Sequence, residues 1–98
     1  MSHEGGTELA RFVALLTFGD QERRLEVRPR HREYLAALYE QGKLLESGPF
    51  ADDEGALIIY DAANDAEVQA LIAEDPYTKA GVIAHLDVRQ WRRVIPPD

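Results

Sequence analysis

An α+β fold with the element order strand, helix, strand, strand, helix, strand is what this sequence predicts. Three observations carry the prediction. The run Leu9 to Phe18 is apolar on both of its alternating faces, the mark of a strand covered on two sides. Two later stretches repeat residues at helical spacing, His31, Leu35 and Leu38 in one and Val68, Leu71 and Ile72 in the other. Further short apolar runs are separated by Gly, Pro and Asp, the residues that punctuate strands.

In the first strand, Phe12, Ala14, Leu16 and Phe18 alternate with Val13, Leu15 and Thr17, and Gly19-Asp20 ends it. Gln21 to Val27 is ambiguous and compatible with a short helical turn. Pro29 suits the first position of a helix. The helix is therefore expected to start there, to present His31, Leu35 and Leu38 on one face with Tyr34 and Tyr39 flanking, and to stop at Gly42. Leu44 to Ser47 reads as a short strand broken by Gly48-Pro49, with a loop through Asp52, Asp53 and Gly55. Ala56 to Asp61 is a third strand, in hairpin reach of the second, with Ile58, Ile59 and Tyr60 favouring extended backbone. Asn64, followed three residues later by Glu67, has the spacing of a capping box for the second helix. Pro76 biases Asp75 toward extended backbone, so that helix is expected to end at Asp75. Val82 to Val88 is the last strand, with a continuation toward Trp91, and Pro96-Pro97 ends the ordered chain.

This order is the ferredoxin-like split βαβ pattern, an antiparallel four-stranded sheet with two helices on one face. A first strand apolar on both faces implies that the second sheet face is also covered. In a chain of 98 residues the simplest cover is another copy, so a homodimer packed sheet face to sheet face is expected. The length suits one domain, placed over residues 9–95, with a polar, flexible tail over residues 1–8.

Composition narrows the function. Eleven basic against eighteen acidic residues give a net charge of -7, which argues against nucleic-acid binding. There is no cysteine, which removes disulfides, thiolate metal sites and cysteine nucleophiles. No apolar run reaches the roughly 20 residues of a membrane span, and no signal peptide is evident, so a soluble cytoplasmic protein is expected. Against the acidic background, Arg23, Arg24, Arg28, Arg30 and Arg32 cluster around His31. Such a cluster reads either as a solvated helix face or as an attractor for a small anion.

Two residues suggest chemistry. An imidazole such as His31 takes and gives a proton near neutral pH; the alternative reading is a satisfied boundary histidine. Asp75, in Asp75-Pro76-Tyr77, is either a turn residue ending a helix or a carboxylate that orients His31 and fixes its tautomer. Arg24 and Arg28 are candidate anion clamps, because the guanidinium fork matches a carboxylate; they share a helix face if Gln21 to Arg28 is helical. Surface ion pairing with Glu22, Glu26 or Asp75 is their alternative. Tyr77 is expected to line the same cleft. Ser47, in Ser47-Gly48-Pro49, suits a strand-end turn better than a nucleophile and joins the candidate ligand contacts. A histidine–carboxylate dyad without a nucleophile fits proton abstraction, isomerisation or elimination. The three histidines lack metal-site spacing, Asp52-Asp53-Glu54 is too short for a calcium loop, and no phosphate or dinucleotide loop is present. No metal or cofactor is expected.

Three segments together resemble the YciI-like family: Arg24-Leu25-x-Val27-Arg28-Pro29-x-His31, then Gly42-Lys43-Leu44-Leu45-x-Ser47-Gly48-Pro49, then Asp75-Pro76-Tyr77-x-x-Ala80-Gly81-Val82. The resemblance spans Leu9 to Val94. It implies a dimeric ferredoxin-like α/β barrel and a candidate active site at His31 and Asp75, which match the family's shared histidine and aspartate. Most members have no known reaction; a dehydrochlorinase of a chlorinated hydroxyquinol-type aromatic is one activity associated with the family. The function expected is a small cofactor-independent enzyme in which a His31–Asp75 acid–base dyad acts on a small anionic or aromatic substrate by elimination, dehydrohalogenation or isomerisation. Two alternatives stay open: a non-catalytic dimeric module that binds a small metabolite, and a heme- or quinone-handling monooxygenase on a similar barrel, since fold does not fix function.

Overall fold

The computed structural model describes residues 9–97, and the expected tail over residues 1–8 lies outside the described residues. The elements are β1 (Ala10–Phe18), α1 (Gln21–Glu40), β2 (Leu44–Pro49), β3 (Gly55–Ala62), α2 (Asp65–Ala73), α3 (Pro76–Lys79) and β4 (Ile83–Trp91). The strands form one antiparallel sheet in the order β2-β3-β1-β4. This is the ferredoxin-like α+β arrangement, with a one-turn helix added between α2 and β4.

Helix α1 begins at Gln21, eight residues before the expected start at Pro29. Asp20 accounts for the early start. Its backbone is extended, and its Oδ1 accepts the Arg23 N–H at 3.0 Å, which satisfies one of the N–H groups a helix start leaves open. The buried stripe then runs Arg24, Val27, His31, Leu35 and Leu38, a three-and-four spacing that passes Pro29 on the opposite side. Pro29 is exposed, and so is Leu25 four residues before it. The hydrogen bond that proline cannot donate is therefore lost where water reaches the orphaned carbonyl. Gly42, at φ +77°, takes the left-handed position just past the helix end, and the Lys43 N–H returns to the Leu38 carbonyl at 2.9 Å.

Strand β2 continues through Gly48 to Pro49, where the sequence suggested a break. It is an edge strand, the position in a sheet that tolerates proline. At the start of β3, Gly55 lies so close to β1 that a Cβ there would collide with the Leu16 carbonyl. In α2, Asn64 Oδ1 accepts the Glu67 N–H at 2.9 Å, and Glu67 Oε1 accepts the Ala63 N–H at 2.6 Å. The box thus closes one residue earlier than its usual form.

Central strand β1 sets the core. Phe12, Ala14 and Leu16 stand opposite Tyr60, Ile58 and Ala56 of β3, and all six are buried under the helices. Leu35 and Leu38 from α1, and Val68 and Ile72 from α2, complete the cluster. The expectation that β1 is covered on both faces is not met within one chain. On the second face Leu15 is 40% exposed, and a groove of about 380 Å³ opens between Val13, Leu15, Leu57, Ile59 and Trp91. Among the described residues, no helix is long and apolar enough to cross a membrane.

Candidate active site

The site forms where the C-terminal end of β1 meets α1, β2 and the junction between α2 and α3. The junction supplies the carboxylate. Asp75 is extended, at φ -64° and ψ 129°, and caps α3, whose first residue is Pro76. The sequence rule that places extended backbone before proline therefore holds, but the helix restarts at once instead of giving way to a loop. Asp75 Oδ1 accepts the Tyr77 N–H at 2.9 Å and contacts His31 Nδ1 at 2.8 Å. These residues are 44 positions apart in sequence. Both are buried, His31 at 7% and Asp75 at 1% exposure.

An ionised carboxylate only accepts, so Nδ1 of His31 carries the proton of this bond and Nε2 is the free basic nitrogen of the neutral ring. The ring is fixed from a second direction. Tyr77 stacks on it with centroids 3.6 Å apart and planes 6° from parallel. Phe18 meets the Tyr77 ring edge-on, at 5.5 Å and 79°. Asp75 thus orients both His31, through its side chain, and Tyr77, through its backbone.

Arg24 lies on the same α1 stripe, two turns before His31, at 2% exposure. Its guanidinium sits 3.9 Å from the centroid of the Phe18 ring, a cation–π geometry. Nη2 donates to Asp53 Oδ1 at 3.0 Å and Nη1 to Gln21 Oε1 at 3.0 Å. This bond to Arg24 holds the Asp53 carboxyl below its usual range, with the Arg24, Arg28 and Arg32 charges acting in the same direction. Behind the dyad, burial first and the Asp75 charge second push the Tyr34 and Tyr60 phenols up, so both stay neutral beside the carboxylate. Tyr34 donates to the Leu71 carbonyl at 2.6 Å.

In front of these groups lies a cavity of about 460 Å³, with Arg24, His31, Tyr77, Phe18, Leu44 and Ser47 in its wall. It is the size of a small-molecule pocket. His31 and Tyr77 contact each other, and Arg24 shares the wall with them, as does Ser47. Asp75 stands behind His31, out of the cavity. Arg28 is half-buried and outside the wall; Arg32, one turn further on, takes the place it was expected to fill. Sequence reasoning missed Asp53, Gln21 and Phe18. In sequence Asp53 reads as a loop residue in an acidic run too short to hold calcium, and nothing local shows that the hairpin loop returns to α1.

A YCII-related domain matches residues 10–92, nearly all of the described chain. Protein YciI of Escherichia coli O6:H1 is 36% identical, over 74% of this chain and 85% of that protein. The chain belongs to the YCII-related family. Among solved structures, the 5-chloro-2-hydroxyhydroquinone dehydrochlorinase of Burkholderia phenoliruptrix AC1100, in complex with 2,5-dihydroxybenzoquinone, superposes with a TM-score of 0.76 at 26% identity, covering 90% of this chain and 99% of that one. An antibiotic biosynthesis monooxygenase superposes with a TM-score of 0.58 at 14% identity, covering 86% and 97%; that likeness is one of fold. A small enzyme is consistent with the company this YCII-related fold keeps.

Proposed function

We propose that this chain is a small enzyme of acid–base chemistry acting on a small anionic or aromatic compound, by elimination or isomerisation. The observation that carries the reading is the 2.8 Å contact of His31 Nδ1 with Asp75. It leaves Nε2 free on a residue that lines the cavity. In this reading Nε2 removes a proton from the substrate, and Asp75 stabilises the imidazolium that results. The electron pair left behind expels a leaving group such as halide in an elimination. In an isomerisation, the imidazolium returns the proton to another atom of the substrate. Neither route changes the oxidation state of a protein group, and neither calls on a cofactor. Arg24 and Tyr77 contact the ligand, with Ser47 at the β2 edge.

The same proposal includes a homodimer through the open sheet face. Support comes from the exposed apolar residues of that face, Leu15 and Trp91 among them, because water-exposed apolar grooves of this kind mark contact surfaces.

The test uses 5-chloro-2-hydroxyhydroquinone as first substrate, with chloride release as readout, in wild type and His31→Gln. Loss of the general base is expected to cost about 10²-fold or more in turnover, with the circular dichroism spectrum unchanged. Equal rates in the two proteins would sink the reading. Saturable binding with no conversion, by this compound and by isomerisable relatives, would favour the binding-module alternative.

A further inference from the structure

The bonds around Arg24 are incomplete in an informative way. A guanidinium offers five N–H donors, and one at 2% exposure needs both a counter-charge and acceptors. Gln21 takes Nη1 and Asp53 Oδ1 takes Nη2. Nε is buried with no acceptor. Nε and Nη2 form the side-on edge of the guanidinium, the edge that receives a carboxylate through two parallel hydrogen bonds. Asp53 therefore fills one arm of this edge and leaves the other, at Nε, unpaired.

Asp53 is also built to let go. Its side chain is 57% exposed, so a released carboxylate enters water directly. Its backbone is held apart from that carboxylate bond, because its carbonyl accepts from Gln21 Nε2 at 2.9 Å and from Arg24 Nη1 at 3.4 Å, and its N–H donates to the Phe50 carbonyl at 2.8 Å. Release requires only rotation of the side chain, with the hairpin loop in place. Asp53 has φ +63°, a conformation that aspartate adopts more readily than most residues.

We infer that the cavity takes an organic carboxylate, seated on the Nε and Nη2 edge of Arg24 in the place that Asp53 holds when the site is empty. The inference rests on the acid–base reading only for what happens next, since a carboxylate held there has its organic portion in the cavity that His31 lines. Charge makes the exchange selective. An incoming anion keeps the buried guanidinium compensated, whereas a neutral ligand that displaced Asp53 would strand it. Arg32 in the cavity wall adds to the pull. Of the wall residues only Glu46 opposes it.

The experiment titrates wild type, Asp53→Asn and Arg24→Gln with benzoate and with its neutral isostere benzamide, by calorimetry. Removal of the competing charge is expected to tighten benzoate about tenfold in Asp53→Asn, the worth of one charge-assisted hydrogen bond. Benzamide should gain nothing, and Arg24→Gln should lose benzoate. Benzoate binding no tighter in Asp53→Asn than in wild type, absent from both, or matched by benzamide, overturns the inference. Should Asp53→Asn fail to fold, carbon-13 NMR of Asp53 in wild type decides. The carboxyl titrates below its ordinary range in the free protein and must return to that range at saturating benzoate; an unmoved titration overturns the inference. Both readings are followed in wild type: failure of the acid–base reading shows as absent turnover with benzoate binding intact, and failure of this inference as turnover without charge-selective benzoate binding.

Discussion

Replacing Asp75 tests the junction on which the whole site depends. In the folded protein one buried oxygen accepts two hydrogen bonds, from His31 Nδ1 at 2.8 Å and from the Tyr77 N–H at 2.9 Å. Asp75→Ala removes the acceptor of both bonds and leaves two buried donors without it. A stranded buried donor costs about 1–3 kcal/mol, so the pair sums to about 4 kcal/mol, a large part of the stability of a domain this size. Asp75→Asn keeps an oxygen with two lone pairs, loses the charge and puts an NH2 donor where the second oxygen was. Hydrogen bonds to charged groups exceed neutral ones by about 1 kcal/mol, so this variant should lose about 2 kcal/mol. Urea unfolding followed by circular dichroism, at one fixed protein concentration because association shifts apparent stability, reads both values. Nitrogen-15 NMR of His31 in Asp75→Asn adds the tautomer, since the proton on Nδ1 loses its charged partner. The reasoning fails if Asp75→Ala costs less than about 1 kcal/mol, or if the alanine and asparagine variants are equally stable.

Three further predictions follow from other parts of the molecule. Gly55→Ala drives a Cβ into the Leu16 carbonyl and should destabilise the protein by about 2 kcal/mol or more, as overpacking against backbone does, a loss visible in the same urea titration. Leu15→Glu places a charge in the middle of the open sheet face; light scattering should then report the monomer mass for the variant and, under the proposed homodimer, twice that mass for the wild type. Asp53 is held below the ordinary carboxyl range by Arg24. Its stabilising contribution is thus complete above about pH 4, the ordinary value, and disappears as pH falls through the lower folded value. Thermal unfolding should accordingly show wild type above Asp53→Asn near neutrality, with the gap closing in acid and not in base.

The places where local rules failed share a cause. Proline at position 29 does suit a helix start, and the local pattern around it is satisfied by that reading. What overrides it is the cap at Asp20 and a buried stripe that reaches back to Arg24. Proline sits on the outer side, where its defect is solvated. A buried arginine is invisible to any hydropathy pattern, so the buried stripe of the first two turns of α1 shows only Val27 as an apolar residue. Gly48-Pro49 breaks a central strand but not an edge strand, and which strand lies at the edge is a property of the sheet.

The sequence by itself determined the order of the four strands and two main helices, the placing of both helices on one sheet face and the two residues of the dyad as candidates. Each of these follows from periodicity, from caps and breakers, or from residue chemistry, which act over a few positions along the chain. Only the tertiary structure decided that His31 and Asp75 touch, that Tyr77 stacks on the imidazole, and that Asp53 holds Arg24. Those contacts span 44, 46 and 29 positions in sequence. They exist because the sheet order brings the β2–β3 hairpin and the α2–α3 junction against one face of α1, and no local spacing encodes that meeting.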